Sequence, residues 1–294
     1  MTTELSATAP SWNDNTSASV PFLDVVYHQD GYKMRLYVPP SSSSVVAGER
    51  EEGEEEKNRL RPAVLDIHGG TWTNLDRTLD VVCNTALAHA GYVVAAIDFR
   101  MGPVHQHPAA SDDIAIALDW LRHHAHQYRI DPQQIGLLGS SSGGHLALLA
   151  GLLPPPANNH HTKDTTTTTT TSRNNTAAEG NTSDTPPLPE GGVVPHIQFI
   201  VALWPVADPY ERYRYAQRVG RQDLITNTKG YFGTELAMKA ASIPRILMSR
   251  TDFTSPLPPL LIIKPAEDAN VPLDITFDLV RCYQKNDGYV EYCS

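Results

Sequence analysis

Residues 135–150 have the sequence Ile-Gly-Leu-Leu-Gly-Ser-Ser-Ser-Gly-Gly-His-Leu-Ala-Leu-Leu-Ala. The apolar run 135–138 predicts a buried strand, and the apolar run 146–150 predicts a helix soon after it. Between them, Gly139-Ser140-Ser141-Ser142-Gly143 fits the pattern G-x-S-x-G in one register only, centred on Ser141. A strand that turns this sharply into a helix needs small residues on both sides of the turn, and the central hydroxyl then projects from the top of the sheet.

This turn predicts that Ser141, rather than Ser140 or Ser142, is a nucleophile. The start of the following helix offers free N–H groups and the positive end of a dipole, which favour negative charge at the serine oxygen. A turn rich in glycine and serine can match the pattern by accident. The strand before it and the helix after it make that alternative the weaker one.

A second glycine turn, His68-Gly69-Gly70-Thr71-Trp72, directly follows a predicted strand. Glycines allow backbone N–H groups to approach a developing oxyanion closely. We therefore expect the amides of Gly69 and Gly70, with that of Ser142, to form an oxyanion hole. An ordinary turn would explain this stretch if it stood alone, but its pairing with the serine turn favours the functional interpretation.

An acidic stretch, residues 264–272, follows the apolar run 260–263 and contains Glu267 and Asp268. A carboxylate at the end of a strand can orient a histidine and stabilise its charged form. The residues alone leave both acids open as candidates, and an ordinary surface loop is an equal alternative.

Apolar runs alternate with helical patterns along much of the chain, which predicts an α/β fold with a doubly wound, mostly parallel sheet. The predicted strands cover residues 20–27, 33–38, 62–67, 91–98, 135–138, 196–204, 260–263 and 289–293. The predicted helices cover residues 80–90, 111–126 and 272–284.

The remaining segments divide by composition. Residues 1–20 are polar and predicted to be disordered, and one domain is predicted over residues 21–294. Within it, residues 41–60 carry a glutamate run that is typical of a solvated loop, and residues 154–194 form a low-complexity insertion with seven consecutive threonines. Residues 205–256 show helical pieces and no strand pattern.

Charge and cysteine content limit the partners. A net charge of -10 argues against nucleic acid. Three scattered cysteines suggest neither a disulfide framework nor a metal site, and the isolated pair His160-His161 does not predict one either. The start shows no signal peptide, and the apolar runs are too short to cross a membrane. We expect a cytoplasmic protein without a metal or cofactor; its oligomeric state is not readable.

Together these blocks resemble α/β-hydrolases of the hormone-sensitive-lipase-like and acetyl-esterase type, especially small esterases with an H-G-G-x-W motif. The resemblance runs from about residue 62 to the end of the chain. It rests on residues 68–72, 96–100, 103, 105, 108–110, 130–132, 139–147, 231–233, 241–242, 258–260, 268 and 271–272.

The resemblance implies hydrolysis of a small ester, lactone or thioester through an acyl-enzyme on Ser141, with no cofactor. It selects Asp268 over Glu267 as the acid. It also makes residues 205–256 a small helical cap that covers the site. An acyltransferase would form the same intermediate, and the sequence does not separate the two activities.

The chain departs from the family pattern in two places. The resemblance implies a histidine after the last strand, but all twelve histidines precede residue 197. Truncation is the favoured interpretation, and a non-catalytic binding protein is the main alternative. His105 and His107 are the only plausible substitutes, but the resemblance favours a structural role for His105. His145 and the cluster at residues 123–126 are also expected to be structural. Lys264-Pro265 replaces a usual glycine turn and is expected to shift Asp268 slightly.

Overall fold

The computed structural model of the protein describes residues 20–39, 59–152, 197–251 and 255–294. The predicted disordered segment 1–20, the acidic loop 41–60 and the insertion 154–194 therefore fall almost entirely outside the described residues. The pair His160-His161 falls outside them as well.

One eight-stranded sheet forms the centre of the molecule. Its strands are β1 (Phe22–Val26), β2 (Lys33–Tyr37), β3 (Arg61–Ile67), β4 (Val93–Ile97), β5 (Ile130–Ser140), β6 (Ile200–Leu203), β7 (Leu260–Ile263) and β8 (Val290–Cys293). They are arranged in the order β1-β2-β4-β3-β5-β6-β7-β8. The first two pairs in this order are antiparallel and all the others are parallel, which confirms the predicted sheet type.

Eight helices are described around the sheet. They are α1 (Val81–His89), α2 (Ala109–His123), α3 (Ser142–Leu152), α4 (Pro209–Val219), α5 (Gln222–Phe232), α6 (Glu235–Ala240), α7 (Ile243–Met248) and α8 (Leu273–Lys285). Helices α4 to α7 form a helical segment, residues 209–248, between β6 and β7.

Helices pack on both faces of the sheet because side chains alternate between its faces along each strand. In β4, Val94 and Ala96 pack with Ala88 of α1 in a small cluster. The other face of β4 contributes to a much larger cluster that includes Ile114 of α2 and Leu146 of α3. This two-sided arrangement confirms the doubly wound architecture.

Several elements differ in extent from their predictions, and β6, predicted over residues 196–204, covers only Ile200–Leu203. Helix α2 begins at Ala109 rather than at residue 111, because Pro108 occupies the N-cap position, where its missing N–H costs nothing. Strand β5 begins at Ile130, and its pairing with β3 shifts register between Arg61 and Ala63. The first residues of β5 are mostly polar, so the apolar pattern did not predict this extension.

The carboxyl ends of the parallel strands meet at one edge of the sheet. Ile67 is in register with Gly139, Gly139 with Ala202, and Ala202 with Ile262. The chain therefore leaves β3, β5 and β7 at a common edge. Since neighbouring strands lie about 4.8 Å apart, roughly 10 Å separates β5 from β7 there.

Candidate active site

The backbone at Ser141 adopts a left-handed conformation with φ 52°, which is strained for any residue other than glycine. Its N–H donates to the carbonyl of Leu203 in β6 at 2.8 Å. Its own carbonyl accepts from the amides of His145, at 3.2 Å, and Val206, at 3.1 Å. Three backbone hydrogen bonds thus hold the turn between β5 and α3 in this conformation.

Accessibility separates the three consecutive serines. Ser140 and Ser142 are buried, with 3% and 1% of their surface exposed, whereas Ser141 is partly exposed. The same serine that fits the sequence pattern is therefore the one that a substrate can reach.

The two glycines of the pattern are required by close backbone contacts. A Cβ atom on Gly139 would lie 2.4 Å from the carbonyl oxygen of Gly143. A Cβ atom on Gly143 would lie 1.9 Å from the carbonyl oxygen of Ile67. Neither position has room for a side chain, so the spacing seen in the sequence has a steric cause.

The glycine loop, residues 68–72, runs beside this turn. Gly70, Thr71 and Trp72 have φ values of 109°, 54° and 60°, so three consecutive residues are left-handed. The carbonyl of Gly70 accepts hydrogen bonds from the amides of Thr73 and Asn74, both at 3.1 Å. These bonds stabilise a conformation that costs free energy at each non-glycine position.

The glycine loop and the serine turn are in direct contact. A Cβ atom on Gly69 would lie 3.5 Å from the Cβ of Ser141. The amide of Trp72 donates to the side-chain oxygen of Ser142 at 3.2 Å. Within the described part of the chain, the amides of Gly69, Gly70 and Ser142 have no hydrogen-bond acceptor. The three predicted donors thus lie in the two turns that meet at Ser141.

The helical segment holds the glycine loop from the other side. Trp72 is fully buried and stacks on Tyr231, with ring centroids 5.7 Å apart and planes 4° from parallel. Phe232 contacts the same indole edge-on at 5.0 Å. The side-chain amide of Asn227 donates to Thr71 Oγ1 at 2.9 Å. Helix α5 therefore contributes to positioning, a role that the sequence did not reveal for Asn227.

Arg212 of α4 also lies against Trp72. Its guanidinium carbon is 5.3 Å from the indole centroid, and Nη2 donates to Thr228 Oγ1 at 2.7 Å. Burial lowers the pKa of this guanidinium to about 10. Among the described residues no carboxylate forms an ion pair with it. The interface between loop and helices therefore holds a buried positive charge that sequence patterns did not indicate.

The acid loop, residues 264–272, holds Asp268 by three hydrogen bonds. Oδ1 accepts from the amides of Asn270, at 2.8 Å, and Val271, at 3.1 Å. Oδ2 accepts from Lys264 Nζ at 2.7 Å. Burial acts to raise the pKa of Asp268, but the hydrogen bonds from Lys264 and the two amides outweigh it and hold the pKa below its usual value.

The alternative acid, Glu267, is exposed and makes no hydrogen bond or ion pair with any described residue. Of the two acids, Asp268 is thus the one held by hydrogen bonds from described residues, and its role as the acid of the site stays a prediction. Lys264, one of the two residues that depart from the family pattern, turns inward and binds Asp268; the predicted shift of Asp268 stays a prediction.

The two candidate substitute histidines contact other residues. His107 packs against Tyr231 and Phe232 at centroid distances of 6.0 and 5.4 Å, and burial lowers the pKa of its imidazole. His105 lines a polar pocket of about 500 Å³ together with Asp98. Within the described ranges, neither imidazole contacts Ser141 or Asp268.

The other histidines expected to be structural make backbone contacts. Nε2 of His145 is 2.8 Å from the carbonyl oxygen of Ala241, and burial lowers the pKa of its imidazole to about 3. His123 and His124 each lie within hydrogen-bond distance of a carbonyl oxygen four residues earlier, at the end of α2. These contacts agree with structural roles.

The described residues contain neither a metal-binding cluster nor a membrane-spanning helix. No group of three or more His, Cys, Asp or Glu side chains among them is arranged to hold a metal ion. None of the helices in the described ranges combines the length and apolar character needed to cross a bilayer.

Comparison with known families gives a match between residues 52–282 and the BD-FAE family, which consists of α/β-hydrolases of the hormone-sensitive-lipase-like type. The chain belongs to this family. The resemblance expected from the sequence motifs is thereby confirmed.

Curated relatives of this BD-FAE family member match it over a shorter stretch. Lipase 2 of Moraxella sp. (strain TA144) is 32% identical over 142 residues, which are 48% of this chain and 29% of the relative. Ethyl acetate hydrolase of Pseudomonas putida is 34% identical over 125 residues, which are 41% of this chain and 35% of the relative. The match thus spans roughly a third of the length of these relatives.

A solved structure extends the similarity to most of the chain. Esterase B of Lactobacillus rhamnosis superposes with a TM-score of 0.65 at 22% identity and covers 93% of this chain and 75% of that protein. At this level of identity the similarity establishes the shared α/β-hydrolase fold.

Proposed function

We propose that the protein is a serine hydrolase of the carboxylesterase type that cleaves a small ester, lactone or thioester. The observation that carries this proposal is the environment of Ser141: a partly exposed serine on a strained turn, beside three amides that have no acceptor among the described residues. The names of the curated relatives, a lipase and an ethyl acetate hydrolase, support the same reaction class.

In the proposed reaction, Ser141 Oγ attacks the carbonyl carbon of the substrate, and the carbonyl oxygen becomes negatively charged. The amides of Gly69, Gly70 and Ser142 are the proposed donors to that oxyanion. Donors fixed by backbone geometry stabilise the developing charge without reorganising during the reaction. Collapse of the intermediate expels the alcohol or thiol and leaves an acyl group on Ser141, which water then removes.

Asp268 is the proposed acid of the site. A carboxylate that stays ionised can orient an imidazole and stabilise its protonated form while the imidazole carries the serine proton to the leaving group. The hydrogen bonds around Asp268 favour its ionised form. Asp268 is proposed to take this orienting role. No histidine within the described ranges is proposed as the base.

The helical segment is the proposed cap of the active site. Its residues Asn227 and Tyr231 contact Thr71 and Trp72 of the glycine loop. Its Tyr215 hydroxyl donates to the carbonyl of Ala269 in the acid loop at 3.3 Å. Such a position suits a cap that shapes the substrate pocket. A cytoplasmic location also belongs to the proposal, since all three cysteines are unbonded thiols.

The decisive test is labelling with a fluorophosphonate, which loses fluoride as its phosphorus bonds to an activated serine oxygen. We expect the wild-type protein to be labelled and Ser141→Ala to be unlabelled, with the adduct mapped to residue 141 by mass spectrometry. Ser249→Ala is the matched control, because Ser249 is exposed and lies at the end of α7.

Two outcomes would contradict the proposal: no labelling of the wild type, or labelling that survives in Ser141→Ala. Binding of an ester without turnover, unaffected by Ser141→Ala, would instead indicate a non-catalytic role. Analysis of products in the presence of an added alcohol separates a hydrolase, which releases the free acid, from an acyltransferase, which forms a new ester.

A further inference from the structure

We propose that Lys264 is a positioning residue of this active site, whose ammonium group fixes the carboxylate of Asp268 in one orientation and maintains its negative charge. This inference rests on the proposed role of Asp268 in ester cleavage. It assigns a function to a residue that, from the sequence, was only a departure from the family pattern.

The contacts of Lys264 are unusual for a lysine. Its side chain is fully buried, and buried lysines are rare unless they are paired. Nζ donates to Asp268 Oδ2 at 2.7 Å and to the carbonyl of Val271 at 2.7 Å. The backbone amide of Lys264 donates to the carbonyl of Cys293 at 2.9 Å, which anchors the start of the loop to the end of β8. The ammonium therefore connects both ends of the acid loop from inside.

Among the residues that the structure describes, the hydrogen bonds leave Asp268 with one free acceptor position. A carboxylate has about four lone-pair sites, two on each oxygen. The amides of Asn270 and Val271 occupy both sites of Oδ1, and Lys264 occupies one site of Oδ2. The remaining site on Oδ2 can accept one N–H group. Because three hydrogen bonds fix the rotamer of Asp268, the remaining site on Oδ2 points in a defined direction.

No other charge in the described structure pairs with Asp268. Lys264 is its only ion-pair partner there. From the helical segment, Arg221 reaches the loop at Asn270 Oδ1, 3.1 Å away, but its charge is matched by Asp223 at 2.7 Å. In the first turn of α8, the charged residue Asp274 is exposed to solvent. The positive charge that acts on Asp268 is therefore that of Lys264.

The first test measures the ionisation of Asp268 directly. In the wild-type protein, the ¹³C carboxyl resonance of Asp268, assigned by its loss in Asp268→Asn, should titrate below the usual range of aspartates. In Lys264→Gln, which keeps a hydrogen-bond donor but removes the charge, the titration should move upward by roughly one pH unit. A wild-type titration in the usual range would overturn the inference, even if the variant failed to fold.

The second test follows the reaction of Ser141. The rate of fluorophosphonate labelling is measured against pH in the wild type, in Lys264→Gln and in Lys285→Gln, a control at the exposed end of α8. Removal of the ammonium stabilises the protonated form of the imidazole that Asp268 is proposed to orient. The pKa of that imidazole rises, so the acidic limb of the profile should move to higher pH by roughly one unit. The control should match the wild type.

A purely structural lysine would give a different result. It would lower the rate by the same factor at every pH, with an unchanged limb, and that outcome would overturn the inference. If the wild type showed no labelling dependent on Ser141, the proposed function would fail. The carboxyl titration would still decide whether Lys264 sets the charge of Asp268.

Discussion

At the scale of single residues, Gly70 has the most restrictive position in the glycine loop. Its φ of 109° is accessible to few other residues, and a Cβ atom there would lie 2.0 Å from the carbonyl oxygen of Asn74. Conformational strain and a backbone clash therefore act together. Gly31 separates the two effects, because its φ is 86° and a Cβ there would meet nothing within 4 Å.

We expect Gly70→Ala to lower the free energy of unfolding by at least about 2 kcal/mol, since the clash with backbone adds to the strain. Gly31→Ala should cost only about 1 kcal/mol, from strain alone. Urea unfolding measures both, and fluorophosphonate labelling should fall only in Gly70→Ala. Equal costs for the two variants would show that the contact with Asn74 relaxes freely.

Asp66, two residues before the glycine loop, is a buried carboxyl with an unusual environment. Its Oδ2 accepts from Asn84 Nδ2 at 2.7 Å, and Oδ1 has no partner in the described structure. Burial, together with the nearby charge of Asp80, raises its pKa from 3.8 to about 7. Between about pH 4 and pH 7, Asp66 is therefore protonated in the folded protein but ionised in the unfolded chain.

The pKa of Asp66 predicts a stability that depends on pH. Between about pH 4 and pH 7 the folded state binds more protons at this residue, so its contribution to stability falls as the pH rises, and then levels off above about 7. Asp66→Asn stays neutral throughout. From pH 4 to pH 7, the free energy of unfolding of the variant should therefore rise relative to that of the wild type by up to about 4 kcal/mol. This value corresponds to roughly three pKa units at about 1.4 kcal/mol each.

Urea unfolding at half-unit pH steps measures this difference between Asp66→Asn and wild type. A difference that stays constant from pH 4 to pH 8 would show that Asp66 ionises normally in the folded protein.

At the scale of elements, α5 supports the glycine loop through one defined hydrogen bond. Asn227 Nδ2 donates to Thr71 Oγ1, and Thr71 Oγ1 donates to the carbonyl of Gly70 at 2.7 Å. The chain of bonds links a helix of the helical segment to a peptide group of the loop. It acts on a residue whose left-handed backbone needs support.

We expect Asn227→Ala to slow the labelling of Ser141 by roughly tenfold, while the free energy of unfolding changes by only about 1 kcal/mol, the net value of one hydrogen bond. Gln222→Ala, on the same helix, removes an exposed bond to Thr226 and should change neither quantity. Labelling rates and urea unfolding of the three proteins provide the comparison. An unchanged rate in Asn227→Ala would mean that the loop keeps its conformation without α5.

The elements also show what the sequence could predict. The strand and helix around Ser141 followed from apolar runs and from glycines that a tight turn requires, and these are local properties. The contact between Asn227 and Thr71 joins residues 156 positions apart, and no local pattern encodes it. Lys264 lies only four residues from Asp268, but the inward direction of its side chain depends on the packing of β7 beside β8.

At the scale of the whole molecule, the helical segment shares its core with the sheet. Tyr231, Met238 and Ile243 belong to the same cluster of buried residues as Leu65 of β3 and Leu260 of β7. A buried hydrogen bond from Ser242 Oγ to Asp208 Oδ2, at 2.6 Å, joins the N-cap residues of α7 and α4. No separate core of its own is described for residues 209–248.

A shared core predicts that the helical segment and the sheet unfold together. Tryptophan fluorescence, to which the fully buried Trp72 contributes, and far-UV circular dichroism should give coincident urea transitions. An early fluorescence transition, with most of the helical signal retained, would show that the segment detaches first.

The contacts of the helical segment with both the glycine loop and the acid loop have a consequence for enzyme engineering. A designer who transplants residues 209–248 from a relative to obtain a new selectivity also replaces Asn227, Tyr215 and Arg221, which contact the glycine loop and the acid loop. Under the proposed function, such an exchange is expected to change selectivity and turnover together. Exchanges that spare these three positions offer the route to altering one trait without the other.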